Sequence, residues 1–249
     1  MLIKAPLVSP KVYTRPILMA EGSTPGNINV VSIPQGGVSG DQIVVSFDTI
    51  PNNQPSTYGN YIAIWQNTDQ IPWSQAPLNT QPIDGNTQAG DMTFGNLDVT
   101  NNSYIIGYAV GPQNDSGSGQ LDANMVASVY VPAASDTSSG TNYPQNSSSL
   151  TIAYVGTNTV SFGWEMLQGF LAQSNKSWAG IWRGSYSYTN PPDAVVAISI
   201  DSNQGTSSFN GLNLLRGETY NIAFFASGWV GENSSNTQTA IAATIQFTV

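Results

Sequence analysis

The side chains that most active sites rely on are missing from this 249-residue chain, which contains neither histidine nor cysteine. Without them there is no imidazole base, no Ser-His or Cys-His nucleophile pair, no zinc site of the usual ligand types and no haem held by His or Cys. Carboxylates are left, and a pair of them can run general acid/base chemistry when two converge on one site. The candidates Asp41, Asp48, Asp69, Asp98 and Glu165 have no spacing that brings two together. A Ser-Lys arrangement would have to use Lys176, the only lysine beyond the first 26 residues. The chain therefore reads as non-enzymatic, with no catalytic residue and no cofactor. Oxygen ligands for Ca²⁺ are available in Asp84-Gly-Asn86 with Asp91, and in Asp201-Ser-Asn203 with Gly205. The same residues are favoured in turns between strands for backbone reasons, and no glutamate completes an EF-hand loop. The turn is the preferred reading, and no metal is expected.

Aromatic residues near strand ends carry the other possible chemistry. Trp73, Tyr186, Tyr188 and Trp229, with Arg183 beside them, fall in loops or just past strands and are expected to be exposed. Flat rings among amides suit a sugar, which offers one C–H face and a rim of hydroxyls, and they suit a protein surface equally well. Phe47, Trp65, Trp164 and Trp182 sit within strand-like runs and are expected to pack in cores.

These residues are positioned by a sequence that repeats. Ile43-Val-Val-Ser-Phe47, Tyr61-Ile-Ala-Ile-Trp65, Phe94-Gly-Asn-Leu97 and Tyr104-Ile-Ile-Gly-Tyr108 return as Val160-Ser-Phe-Gly-Trp164, Trp178-Ala-Gly-Ile-Trp182, Phe209-Asn-Gly-Leu212 and Tyr220-Asn-Ile-Ala-Phe224. Trp164 stands 117 residues after Phe47, a period that fits a whole small domain and not a stacking repeat. The reading is an extended Pro-rich arm over 1–26, a first β-sandwich over 27–132, a Ser/Gly/Pro linker over 133–149 and a second sandwich over 150–249. Each half shows about seven short β runs separated by turn residues, the pattern of an all-β Greek-key sandwich. Glu165 to Ala172 is the only helical candidate, and it is short.

Leu214-Leu-Arg-Gly217-Glu-Thr219-Tyr220-Asn-Ile222 resembles the tyrosine corner of fibronectin type III and immunoglobulin-like domains, and Leu97-Asp-Val99-Thr-Asn-Asn-Ser-Tyr104 is a looser match. The resemblance implies tandem sandwiches of that kind in which a Tyr hydroxyl bonds to upstream backbone. It specifies a fold and no task. The immunoglobulin cysteine pair is absent, and Phe47 stands where that family more often has Trp.

Charged residues make up only 8% of the chain and the net charge is −9. The six basic residues are Lys4, Lys11, Arg15, Lys176, Arg183 and Arg216, which leaves the first sandwich wholly acidic. That balance argues against nucleic acid, whose phosphates need a basic footprint, and against an anionic membrane surface. No stretch reaches the length of a membrane span, and no signal peptide is recognised at the N-terminus, so the expected location is cytoplasmic, or extracellular after lysis or non-classical export. The arm carries Leu2, Ile3, Leu7, Val8, Val12, Ile17, Leu18 and Met19 among its prolines, together with half of the basic residues. The leading expectation is a self-assembling structural protein, a homo-oligomer, filament or particle subunit joined through this arm. The alternative is a lectin-like or adhesive protein binding a glycan or protein surface through its loop aromatics.

Overall fold

The computed structural model describes residues 26–114, 119–135 and 143–249. The arm, except Gly26, lies outside the described residues, as does part of the linker. The described chain is almost entirely β and forms two sandwiches of the same design.

In the first, β1 (Val30–Ser32), β2 (Gln42–Asp48) and β5 (Ala89–Gly95) make a three-stranded sheet in the order β1-β2-β5. It packs on a second sheet of β4 (Asn79–Pro82), β3 (Tyr61–Gln66), β6 (Tyr104–Ala109), β7 (Met125–Val131) and β8 (Gln145–Ser147), ordered β4-β3-β6-β7-β8. The second sandwich repeats the scheme. Its small sheet has β9 (Ser149–Val155), β10 (Thr159–Glu165) and β13 (Gln204–Asn210), and its large sheet has β12 (Ala194–Ala197), β11 (Trp178–Arg183), β14 (Thr219–Phe225) and β15 (Ile241–Thr248). All pairings are antiparallel. The second sandwich has the three-plus-four strand distribution of immunoglobulin-like and fibronectin-like sandwiches, and the first has the same distribution with one strand added to its large sheet.

Two departures from the sequence reading have local causes. Glu165 to Ala172 is not a helix: after β10 the chain turns repeatedly, with Gly169 at φ +82°. The one helix among the described residues, α1 (Pro55–Tyr58), begins on a proline and stops at Gly59 in the left-handed conformation, whose N–H closes back on the last turn. The segment read as linker contains β8, which adds a fifth strand to the large sheet of the first sandwich.

Strand burial explains how the sandwiches combine. Strands β2 and β10 alternate buried and open positions, as half-exposed strands do. Strands β3, β6 and β14 are buried along nearly their whole length, on both faces. Antiparallel sheets of a single sandwich face water on one side. Here the outward faces of both large sheets are covered as well, by each sandwich's own loop, at Ile71 over Gly107 in the first and at Pro192 and Tyr188 in the second, together with residues of the other sandwich such as Ile50 and Tyr58.

The covering is reciprocal. Residues 26–29, which lead into β1, lie along the last strand of the other sandwich: Ile28 bridges Ala243, the Thr244 N–H donates to Asn27 O at 2.9 Å, and Asn29 Nδ2 donates to Ile241 O and Ala242 O at 3.1 and 3.0 Å. Strand β8, which leads into β9, lies in turn along β7, the last strand of the first sandwich, with Ser147 opposite Ala127 and the Ser148 hydroxyl donating to Val126 O at 2.9 Å. Gly26 is required at its position because a Cβ there would overlap the Thr244 carbonyl. Among the described residues, no helix is long and apolar enough to cross a membrane.

Candidate functional site

The loop aromatics proposed from sequence do not form one exposed face. Trp73, in the loop between β3 and β4, is only 9% exposed: its Nε1 donates to Gln168 O at 2.7 Å and its ring meets Phe170 edge-on at 5.7 Å. Gly169 lies beneath it, where a Cβ would come within 2.8 Å of the indole nitrogen. In the equivalent loop of the second sandwich, the Tyr186 hydroxyl donates to Pro51 O at 2.9 Å and Tyr188, 8% exposed, stacks on Tyr58 at 5.2 Å. Gln168 and Pro51 are 117 residues apart and hold the same place in the two halves. Each sandwich thus pins the other with an aromatic donor on the same carbonyl. The expectation of exposure is corrected for Trp73 and Tyr188. A large apolar ring at a strand end packs as well against a neighbouring domain as in its own core, and no feature of the local sequence separates the two.

The apolar floor of the Tyr186–Tyr188 contact is likewise shared between the two sandwiches. Ile50, from the β2–β3 loop of the first sandwich, joins a cluster with Trp178, Trp182, Ala223, Phe225 and Ile241 on the outer face of the second large sheet. Trp178 and Phe225 stack nearly parallel there, with ring centroids 3.9 Å apart. Burial raises the Tyr186 phenol to about 12, and it raises Tyr188 further, helped by the neighbouring Tyr186, Tyr108 and Tyr58. Both rings hold their protons throughout the physiological range.

Polar links reinforce this seam. In the β6–β7 loop, Gln120 donates through Nε2 to Gly169 O at 2.7 Å, while its Oε1 accepts from Leu171 N and from Asn175 Nδ2. On the other side Asn29 Oδ1 accepts from Thr49 Oγ1 at 2.6 Å. Thr49 Oγ1 accepts from Asn53 Nδ2, and Asn60 Nδ2 donates to Tyr108 OH at 2.7 Å. These buried amides give the seam directional contacts that an apolar interface alone lacks.

Of the remaining sequence candidates, Trp229 is half-exposed, with its backbone N–H donating to Lys176 O and its ring 6.4 Å from Trp178. Arg183 is exposed at the end of β11, its backbone N–H bound by the Asp193 carboxylate, and no ion pair to its guanidinium is present among the described residues. It borders a cleft of about 510 Å³ floored by Leu214 and Tyr220. The structure brings Trp73, Tyr186 and Tyr188 onto the seam, and leaves Arg183 apart from them. The carboxylates of the Asp/Asn loops serve structure: Asp201 accepts from the Ser174 N–H and hydroxyl at 2.7 Å each, and Asp91 accepts from the Ser46 hydroxyl. Among the described residues, no three Asp, Glu, His or Cys side chains gather around one point.

One feature of the seam has no sequence signature. A groove of about 640 Å³ runs between the sandwiches, bounded by the β3–β4 loop at Asp69 to Ile71, by Ser128 of β7, by β8, by Glu165 to Gln168 and by Asn203 and Gln204. Five separate segments contribute, so no pattern along the chain points to it.

No protein-family model matches the chain, and no curated protein matches it. Among solved structures it is similar to the human OSCAR ligand-binding domain, at 11% identity with a TM-score of 0.23 over 81% of this chain and 91% of that one.

Proposed function

We propose that this chain is a non-enzymatic structural protein whose interlocked sandwiches form one building block of a larger assembly, joined through the residues before Gly26. The seam carries the reading. Trp73, Tyr186 and Tyr188, the rings that a tandem binding module would present outward, are turned in to hold the two halves together. Catalysis has no support in the chain's chemistry, which lacks His and Cys and scatters its carboxylates. The chain enters the block at Gly26, on the edge of β15, and the 25 residues before it hold nine Leu, Ile, Val and Met side chains and three of the six basic residues. A segment of that composition suits docking onto the acidic surface of another copy, adding main-chain bonds at a sheet edge. Opposite charge guides the encounter and weakens with salt.

Light scattering tests this directly. The full chain is expected to form an oligomer, and a chain lacking residues 2–25 to keep its β spectrum and melting midpoint but assemble less. The deletion stops before Gly26 because residues 26–29 brace the seam within one molecule. A monomeric full chain, or a truncated chain that assembles like the full one, removes the reading. The alternative, recognition of a glycan or protein surface through loop aromatics, retains the half-exposed Trp229 and the rim of Tyr188, which lines a cleft of about 460 Å³ bounded by Pro191, Pro192 and the loop at Glu232 to Asn236.

A further inference from the structure

We propose that the groove between the sandwiches binds a neutral, hydroxyl-rich ligand, an oligosaccharide. Its walls carry amide side chains with unused hydrogen-bonding capacity: Gln70, Gln145, Asn146, Gln168 and Gln204 line the groove, are exposed, and make no side-chain hydrogen bond among the described residues. Elsewhere on the seam the amides of Asn29, Asn60, Gln120 and Asn124 are tied into the protein. An amide offers two donors and a carbonyl acceptor, and a sugar hydroxyl both donates and accepts, so the two are matched in kind.

The rest of the lining points to the same class. Ile71, Met166 and Leu167, each at most 5% exposed, present a small apolar floor against which the C–H face of a sugar ring can rest. Among the described residues, Asp69 and Glu165 are the only charged groups of the lining and no cation is among them, so this lining disfavours phosphate, sulfate and carboxylate ligands while hydroxyls can still donate to the two carboxylates. The volume of about 640 Å³ lies within the range of small-molecule sites. The walls are also held in place before any ligand arrives. Met166 N donates to Asn203 O at 2.6 Å, Trp73 fixes the Gln168 carbonyl, and β8 is held in register on β7. Such preorganisation lowers the ordering cost of binding.

The test is titration calorimetry of the full chain with soluble hexasaccharides of glucose, mannose and galactose, alongside pull-down on the same sugars as immobilised polysaccharides. These two arms separate a free saccharide from a glycan surface. At least one neutral sugar is expected to bind. The substitutions Gln70→Ala, Gln168→Ala and Gln204→Ala should each weaken it about fivefold, the usual worth of one net hydrogen bond. All three are exposed side chains without protein partners, so melting should be unchanged, and Gln42→Ala on the far face of β2 should leave binding unaltered. No binding of any sugar in the panel, or binding that survives the triple substitution, overturns the proposal. Salt-sensitive binding of a lysine-rich peptide in place of sugar also overturns it, by assigning the groove to a basic protein segment. The arm-deleted chain should bind sugar equally well, so failure here and failure of the assembly reading are read independently.

Discussion

The two sandwiches make the same ring contact with different atoms. In the first, Phe47 stacks on Tyr108 at 5.9 Å; in the second, Trp164 stacks on Phe224 at 5.9 Å. Phe47 and Trp164 are equivalent strand positions, and so are Tyr108 and Phe224. The pair has kept its geometry while its polar atom moved from one ring to the other. In the first sandwich Tyr108 OH is served by Asn60 at 2.7 Å and Asn53 at 3.4 Å. In the second, Trp164 Nε1 is buried with no partner among the described residues. The lesson is that packing shape constrains these positions more tightly than polarity does. A buried polar atom brings its own partners where neighbouring loops can supply amides, and remains a local cost of roughly 1–3 kcal/mol where they cannot.

The strongest way to break this comparison is to remove the rings. Trp164→Ala and Trp182→Ala should each destabilise the protein by roughly 3–5 kcal/mol, because both are nearly fully buried. Chemical denaturation checks this, and a midpoint equal to that of the parent would remove either residue from the core. Next comes the amide network. Asn60→Ala removes the 2.7 Å donor to Tyr108 OH, leaving it Thr49 and the longer Asn53 contact, and strips the Gly111 N–H of its acceptor, for a loss of about 2 kcal/mol. The double substitution with Tyr108→Phe should recover part of that loss if the network exists to serve the hydroxyl, and none of it otherwise.

Smaller effects sharpen the equivalence of the two seam contacts. Trp73→Phe and Tyr186→Phe each delete one donor to an equivalent carbonyl, and each should cost on the order of 1 kcal/mol in denaturant unfolding. A loss confined to one of them would show that the seam is not reciprocal in energy. The corner tyrosines form a parallel pair: Leu215 N donates to Tyr220 OH at 2.9 Å, and Asp98 N donates to Tyr104 OH at 3.0 Å. Tyr220→Phe and Tyr104→Phe should each cost about 1 kcal/mol, and an unshifted midpoint for either would deny that corner a stabilising role. The mildest test is alkaline pH. Tyr186 is raised by burial to about 12, so the unfolded chain loses its phenol proton first. Its contribution is complete below the unfolded value near 10 and is lost as pH rises from there through 12. The melting temperature should fall across that window, and less steeply in Tyr186→Phe.

Much of this fold is legible along the chain. The repeat, the strand runs, both tyrosine corners and the core places of Phe47, Trp65 and Trp164 follow from residue types at fixed spacing, because a strand buries every second side chain and a duplicated core preserves its large residues, whereas Trp182, expected in the core, is buried on the outer face of its sheet. Runs such as Tyr61-Ile-Ala-Ile-Trp65 and Tyr104-Ile-Ile-Gly-Tyr108 even carry the mark of two-sided burial, being apolar at successive positions where a half-exposed strand alternates. What covers their second face is not written there. Trp73 and Tyr188 have the composition of exposed loop aromatics and become seam residues only because the other sandwich stands over them. The groove is more hidden still, since its lining comes from five segments whose amides each look like ordinary surface. Sequence fixes what is near along the chain, through propensity and period. Which faces meet was decided by the tertiary structure, because the free energy of burying two surfaces belongs to both of them and to neither sequence segment alone.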